Sequence, residues 1–268
     1  MIASDLDGTL LGADGRLSER TRKALAAARE HGLAVVAVTA RTPYGVERLP
    51  DLVPLIDIAI CANGAVFYQP SESRVHIRRA IEPGTARRVC AVLAEALPHA
   101  SLAIETGTGI VGNRRHYEGI VTDMSHWEFV DSDEAMLAGA DTIVKIKAYD
   151  PGLHSEEMVR AVDGADLAGL DMCHWGEFGM LDFNASGANK ATGLAAWCAE
   201  RGLGPEDVVA FGDMPNDVPM LTWAGRSYAV AGAHPEALAA AADVTGANTE
   251  DGVARVIESI LDRAGGAA

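Results

Sequence analysis

The sequence is poor in everything that binds nucleic acid. Aromatic residues make up 5% of its 268 positions, and 22 lysines and arginines face 38 aspartates and glutamates, for a formal net charge of −16. Such a chain repels phosphate backbones and offers few rings for bases to stack on. Cysteine is sparse too. Cys61, Cys90, Cys173 and Cys198 are scattered and form no C-x-x-C pair. Those intervals suit neither a zinc site nor a disulfide framework, and they read as reduced thiols. The longest apolar run, around Leu33 to Val38, is far too short to span a bilayer. The first residues, Met1-Ile2-Ala3-Ser4-Asp5, contain no basic stretch leading into an apolar one, so no signal peptide is visible. These absences predict a soluble, cytoplasmic protein with neither nucleic acid nor membrane as partner, and they leave the oligomeric state open.

What is present suits a globular chain: 49% hydrophobic and 22% charged residues, enough for one large domain or two modest ones. Short apolar runs alternate with amphipathic stretches, the pattern of a parallel α/β sheet. Ile2 to Leu6 predicts a first strand. Ser18 is placed to cap a helix through Leu25 to Glu30. Leu33 to Val38 is continuously apolar, as a strand buried on both faces must be, and Asp57 to Ile60 predicts a third strand. Towards the other end, Asn189 to Arg201 reads as a helix, Val208 to Phe211 as a buried strand, Ser227 to Val230 as another, and Glu250 to Arg263 as a closing helix.

The middle differs. Helical stretches (Pro83 to Leu97, His154 to Val162) stand among shorter alternating strands such as Ile143 to Lys147. The expected fold class is therefore α/β, with a Rossmann-like parallel-sheet core built from 1–80 and 186–268 and an inserted α+β cap over 81–185.

The residues with chemistry in them fall at predicted strand ends. Asp5-Leu6-Asp7-Gly8-Thr9 follows the first strand. Side chains two apart on an extended segment share a face, so Asp5 and Asp7 are expected to converge at a carboxyl edge, where open α/β sheets bind ligands. Paired buried carboxylates are costly without a cation, and magnesium prefers such oxygen ligands. An EF-hand calcium loop is excluded, because apolar residues and glycine stand where its ligands belong. Gly212-Asp213-Met214-Pro215-Asn216-Asp217 follows another apolar strand and offers Asp213 as a further carboxylate for the same metal. Lys190 opens a predicted helix, where the macrodipole disfavours a cation. It needs an anion there, either Asp217 or a bound phosphate. Thr39 and Arg41 follow the second strand and are able to donate to phosphate oxygens. Alternatively, Thr39 caps the helix after Pro43 and Arg41 is an ordinary ion-pair partner.

Taken in order, Asp5-x-Asp7-Gly8-Thr9, Thr39, Lys190 and Gly212-Asp213-x-x-Asn216-Asp217 resemble the four motifs of the haloacid dehalogenase-like hydrolases. Within that superfamily the chain is similar to the large-cap, Cof-type sugar-phosphate phosphatases, and the likeness covers essentially its whole length. The turn Asn63-Gly64 also resembles that subgroup. The resemblance implies a phosphatase acting on a small phosphorylated metabolite. Asp5 would be the nucleophile and Asp7 the acid and base. Mg2+ would be held by an oxygen of Asp5, the backbone carbonyl of Asp7, and Asp213. Thr39, Lys190 and Asn216 would grip the phosphoryl group, with Asp217 orienting Lys190. Relatives that cleave carbon–halogen bonds lack the second carboxylate, so Asp7 favours phosphoryl chemistry.

Two other functions fit less well. A phosphomutase would need a second anion site in the cap, for which Asn113-Arg114-Arg115-His116 is the basic cluster available. A catalytically dead metabolite-binding protein would not need both Asp5 and Asp7. Trp127 and Trp175, with His116, Tyr117, Glu118 and Glu177 near them in sequence, are candidates for recognising a sugar ring or for packing the cap's own core.

Overall fold

Only a few residues precede Asp5, and the computed structural model shows how little strand they need to make. It describes residues 1–113, 125–174 and 178–265. In chain order the strands are β1 (Ile2–Ser4), β2 (Val35–Val38), β3 (Ile58–Cys61), β4 (Val66–Gln69), β5 (Arg74–Ile77), β6 (Ser101–Glu105), β7 (Ile110–Asn113), β8 (Trp127–Val130), β9 (Lys145–Tyr149), β10 (Leu170–His174), β11 (Met180–Ala185), β12 (Val209–Gly212), β13 (Arg226–Val230) and β14 (Asp243–Thr245). Three residues suffice for β1 because it is paired on both sides, in parallel with β2 and with β12.

Eight of these strands form the core sheet, ordered β14-β13-β12-β1-β2-β3-β4-β5. From β14 to β3 every pairing is parallel, as the apolar runs predicted, whereas β3-β4 and β4-β5 are antiparallel. From β1 the chain moves outward through β2 and β3, and later through β12, β13 and β14 on the opposite side. Connections therefore diverge above the carboxyl ends of β1 and β12, which opens a crevice at the topological switch point. Helix Glu19–Glu30 packs against helix Gly252–Gly265, and its cap is Ser18, whose hydroxyl accepts from the Thr21 amide as the sequence predicted. Among the described residues no helix is long and apolar enough to cross a membrane.

The other six strands make an inserted α+β cap, ordered β10-β11-β9-β6-β7-β8 and antiparallel except for β7-β8. Its two faces differ in chemistry. Leu102, Ile104, Ile146, Ala148, Leu181 and Phe183 are buried in the main apolar core. Alternation puts Glu105, Lys145, Lys147, Asp182 and Asn184 on the other face, and these are also buried. The strand expected over Ile143 to Lys147 begins two residues later, at Lys145, because Ile143 is used in an isolated bridge to Ile81. Trp127 packs on Ala103, Ile110, Tyr149 and Met180 and stacks on Phe129, with ring centroids 5.7 Å apart. The basic run Arg114-Arg115-His116, with Tyr117, Glu118, Trp175 and Glu177, lies outside the described residues.

Candidate active site

The ladder of β1 persists one residue past the strand, where the Asp5 amide donates to Phe211 O (3.0 Å). The chain then turns sharply, so the expected extended face does not reach Asp7. Residues Leu6–Leu10 wind in one wide turn whose middle, Gly8, has φ +82°. A Cβ on Gly8 would lie 2.3 Å from Asp213 Oδ2, so only glycine lets this turn approach β12's carboxylate. As a result Asp5 points inward and is 6% exposed, while the Asp7 side chain is 55% exposed. Arg41 holds Asp7 through two hydrogen bonds, Nε to Oδ2 at 2.7 Å and Nη2 to Oδ1 at 2.6 Å. The guanidinium fork predicted for phosphate is thus engaged by a carboxylate in this state.

Thr39 ends β2 and is buried, with its hydroxyl accepting from the Arg41 amide at 3.1 Å. It is not the helix cap. That role falls to Thr42, whose hydroxyl accepts from Gly45 N and caps helix Pro43–Glu47. Lys190 is the first residue of helix Lys190–Ala199, whose cap is Asn189. Its ammonium is buried and donates to Asp5 Oδ1 (2.5 Å) and Asp217 Oδ1 (2.6 Å). These two carboxylates are the anions that a lysine at a helix N-terminus requires. The turn after β3 docks beside it: Gly64 has φ +100°, and a Cβ there would meet Asn189 O at 2.3 Å. Asn63, also left-handed at φ +53°, accepts from Asn216 Nδ2 (3.2 Å) and donates to Cys173 Sγ (3.5 Å), which links the core turn to the cap.

Asp213 and Asp217 follow β12. Asp217 is completely buried, and its Oδ2 accepts from the amides of Asp213 and Met214, both at 3.0 Å. Thr9 Oγ1 donates to Asp213 Oδ1 at 2.6 Å. One oxygen from each of Asp5, Asp213 and Asp217 falls within 4.8 Å of the others. The Asp7 carboxylate is not in this cluster. Asp217 already accepts three hydrogen bonds, from Lys190 and two amides, so Asp5 and Asp213 are the pair with more capacity to hold a divalent cation. The site's electrostatics favour one. Three carboxylates against a single ammonium leave an excess of negative charge in a buried place. Burial, only partly offset by Lys190, and repulsion from Asp217 and Asp213 raise the Asp5 pKa well above the usual carboxylate range. Burial, with Asp217 adding to it and Thr9 opposing, pushes Asp213 up to about 6. Lys190 keeps its charge: burial works against it, but Asp217 and Asp5 hold its pKa above the ordinary lysine value.

A consequence is measurable. Below about pH 6 Asp213 carries a proton that a cation must displace. Asp5, whose carboxyl is also held above the usual range, adds to this, so divalent-cation affinity is expected to fall as pH is lowered, roughly tenfold per unit for each proton displaced. Calorimetric titration between pH 5 and 8 checks this, and an affinity independent of pH would contradict it.

A cavity of about 130 Å³ sits above Asp5, with Asp7, Thr39, Ala40, Arg41, Met214 and Asn216 on the core side and Cys173 and His174 on the cap side. The structure therefore gathers Asp5, Asp7, Thr39, Arg41 and Asn216 around one space, with Lys190, Asp213, Asp217, Asn63 and Gly64 supporting it. Cys173 and His174 were not foreseen. They end β10 and carry no local motif, and only the closure of cap on core brings them here. A larger cavity of about 580 Å³, which Trp127 lines, lies over Ile77 and Thr106 and includes none of these residues.

A crevice at the switch point, holding a buried lysine among three clustered aspartates beneath a cap, is suited to phosphoryl transfer. The sequence agrees: the family model of the haloacid dehalogenase-like hydrolases matches residues 2–257. The chain belongs to that family, and it is a phosphatase of the haloacid dehalogenase type. It is 29% identical to a pyridoxal phosphate phosphatase of Escherichia coli (strain K12), over 97% of this chain and 98% of that one. It is 26% identical to a 5-amino-6-(5-phospho-D-ribitylamino)uracil phosphatase of Bacillus subtilis (strain 168), over 96% and 94%. Among solved structures it resembles a haloacid dehalogenase-like hydrolase from B. subtilis, with a TM-score of 0.82, 25% identity, and coverage of 96% and 98%.

Proposed function

We propose that the protein is a magnesium-dependent phosphomonoesterase that works through an aspartyl-phosphate on Asp5, with sugar phosphates and similar small metabolites as substrates. The observation that carries this reading is the division between two aspartates: Asp5 is buried and gripped by Lys190, and Asp7 stands exposed at the same cavity. One is placed to attack and the other to exchange protons. Magnesium, held by Asp5, Asp213 and the Asp7 carbonyl, would supply charge neutralisation for the nucleophile and the phosphoryl oxygens.

In the first step an Asp5 carboxylate oxygen bonds to phosphorus as the ester oxygen departs, taking a proton from Asp7. In the second, Asp7 removes a proton from water, which attacks phosphorus and frees Asp5 and inorganic phosphate. Lys190, Thr39 and Asn216 steady the phosphoryl oxygens, since this transfer depends on positioning and charge more than on covalent help. Asp217, anchored by two amides on one oxygen, fixes Lys190 through the other. The relatives' named substrates, pyridoxal phosphate and a phosphorylated ribitylaminouracil, support the substrate class. Free thiols at Cys61, Cys90, Cys173 and Cys198 suit the cytoplasm.

The test is phosphate release from a panel of phosphorylated sugars, sugar acids, nucleotides and cofactors. Chelation is expected to abolish release and added magnesium to restore it. Turnover that survived thorough chelation would remove the metal from the reading.

A further inference from the structure

We infer that Lys145 is a positioning residue for phosphoryl transfer, acting from the cap through the backbone of the Thr39–Arg41 turn; this rests on the function proposed above. The turn has three carbonyls. The core satisfies the outer two, with Asn63 N donating to Thr39 O (3.1 Å) and Ala62 N to Arg41 O (2.9 Å). The middle one, Ala40 O, accepts from Lys145 Nζ at 2.9 Å. That donor comes from β9, in the cap sheet.

Lys145 is 0% exposed, and its ammonium is also 3.1 Å from Asp182 Oδ2 and 3.4 Å from Glu105 Oε1. Both carboxylates lie within ion-pair distance of the ammonium, and its hydrogen bond goes to Ala40 O. Lys147 bridges the same two carboxylates, at 3.2 Å to each. Two ammoniums against two carboxylates leave the set neutral, which is what allows it to be buried. Burial alone would raise Asp182, yet Lys145 and Lys147 hold its carboxyl below the usual range. The paired residues face the same way because Lys145 stands opposite Glu105 and Asn184, and Lys147 opposite Asp182. Lys147 completes the charge balance. Lys145 carries the bond to the core turn.

Both neighbours of Ala40 have work in the cavity. Thr39 lines it, and Arg41 holds Asp7 by two hydrogen bonds. Fixing the carbonyl between them therefore fixes a phosphate contact and the placement of the acid and base together. A seated cap is in this way reported to the reacting groups through one peptide unit. Displacements well under 1 Å matter at such sites, so loss of this tether is expected to act on kcat rather than on substrate binding.

The experiment compares two charge-matched double variants with p-nitrophenyl phosphate and magnesium. Lys145→Met/Glu105→Gln removes the bond to Ala40 and keeps Lys147 neutralised by Asp182. Lys147→Met/Glu105→Gln makes the same charge change and leaves the bond in place. Thermal melts establish that both fold. The first is expected to lose roughly tenfold to a hundredfold in kcat with KM little changed, the size of one charge-assisted hydrogen bond, while the second stays near wild type. Equal kcat in the two, or losses that merely follow thermal stability, would overturn the inference. Should the first variant not fold, Lys145→Leu/Glu105→Gln, which also removes the bond to Ala40 and keeps the charge balance, takes its place in the same comparison. A wild-type protein inactive on p-nitrophenyl phosphate and on the metabolite panel would instead sink the phosphatase mechanism, so the two failures are distinguishable.

Discussion

Asp5→Asn is expected to lower kcat by roughly a thousandfold or more while leaving the fold intact, because the amide cannot serve as the nucleophile. The structural side of this expectation is as specific as the kinetic one. Asn at this position still offers an oxygen to Lys190, which keeps its second partner, Asp217. It also removes one of three clustered carboxylates, relieving the repulsion and burial that raise the Asp5 pKa. The melting temperature of the metal-free variant is therefore expected to equal or exceed that of the metal-free wild type. Steady-state kinetics with calorimetry checks both halves. Near-wild-type turnover would contradict the covalent mechanism, and gross destabilisation would contradict the electrostatic account of the cluster.

The second large effect belongs to Asp7, and it depends on the leaving group. An alkyl phosphate such as a sugar phosphate needs its departing oxygen protonated, whereas p-nitrophenolate leaves without help. Asp7→Asn should cost roughly a hundredfold to ten-thousandfold on a sugar phosphate, with the first chemical step impaired. With p-nitrophenyl phosphate the first step should survive, leaving the water attack as the step that fails. Rapid-mixing kinetics then show a burst of p-nitrophenol, close to one per active site, followed by slow turnover. Because Asp7 is exposed and its ion pair with Arg41 lies at the surface of the cavity, the variant should fold normally.

Much of the core was legible because burial on both faces writes a plain signal. Val35 to Val38 and Ile58 to Cys61 are apolar throughout and form parallel strands. β5 escaped because it is a four-residue edge strand: Arg74-Val75-His76-Ile77 alternates, but the run is short and mostly exposed, with no buried apolar stretch to mark it. In the cap, the alternation of β9 gives no sign that its lysines are buried against Asp182 and Glu105, partners remote in sequence. Burial of charge by charge leaves no periodic trace.

The site divides in the same way. Asp5, Lys190, Asp213 and Asp217 were identifiable from strand-end motifs, and Lys190 finds the carboxylate partner its helix position required. The shared face expected for Asp5 and Asp7 fails because β1 ends at Ser4 and the chain turns at once. The alternative reading of Thr39 as a helix cap fails because Thr42 takes that role, though either hydroxyl precedes Pro43 closely enough to serve. Cys173, His174 and Lys145 reach the site only through the way the cap sits on the core, which no local spacing encodes.

The central claim is a phosphoryl group carried on Asp5, and trapping it is the most direct measurement. Asp7→Asn protein is mixed with p-nitrophenyl phosphate and magnesium, quenched in acid during the slow phase, and reduced with borohydride, which converts an acyl phosphate of aspartate to homoserine. Peptide mass spectrometry is expected to find homoserine at position 5 in an amount matching the p-nitrophenol burst, and to find none in protein treated without substrate. A burst of that size with Asp5 unmodified, or with the label on another residue, would contradict the account.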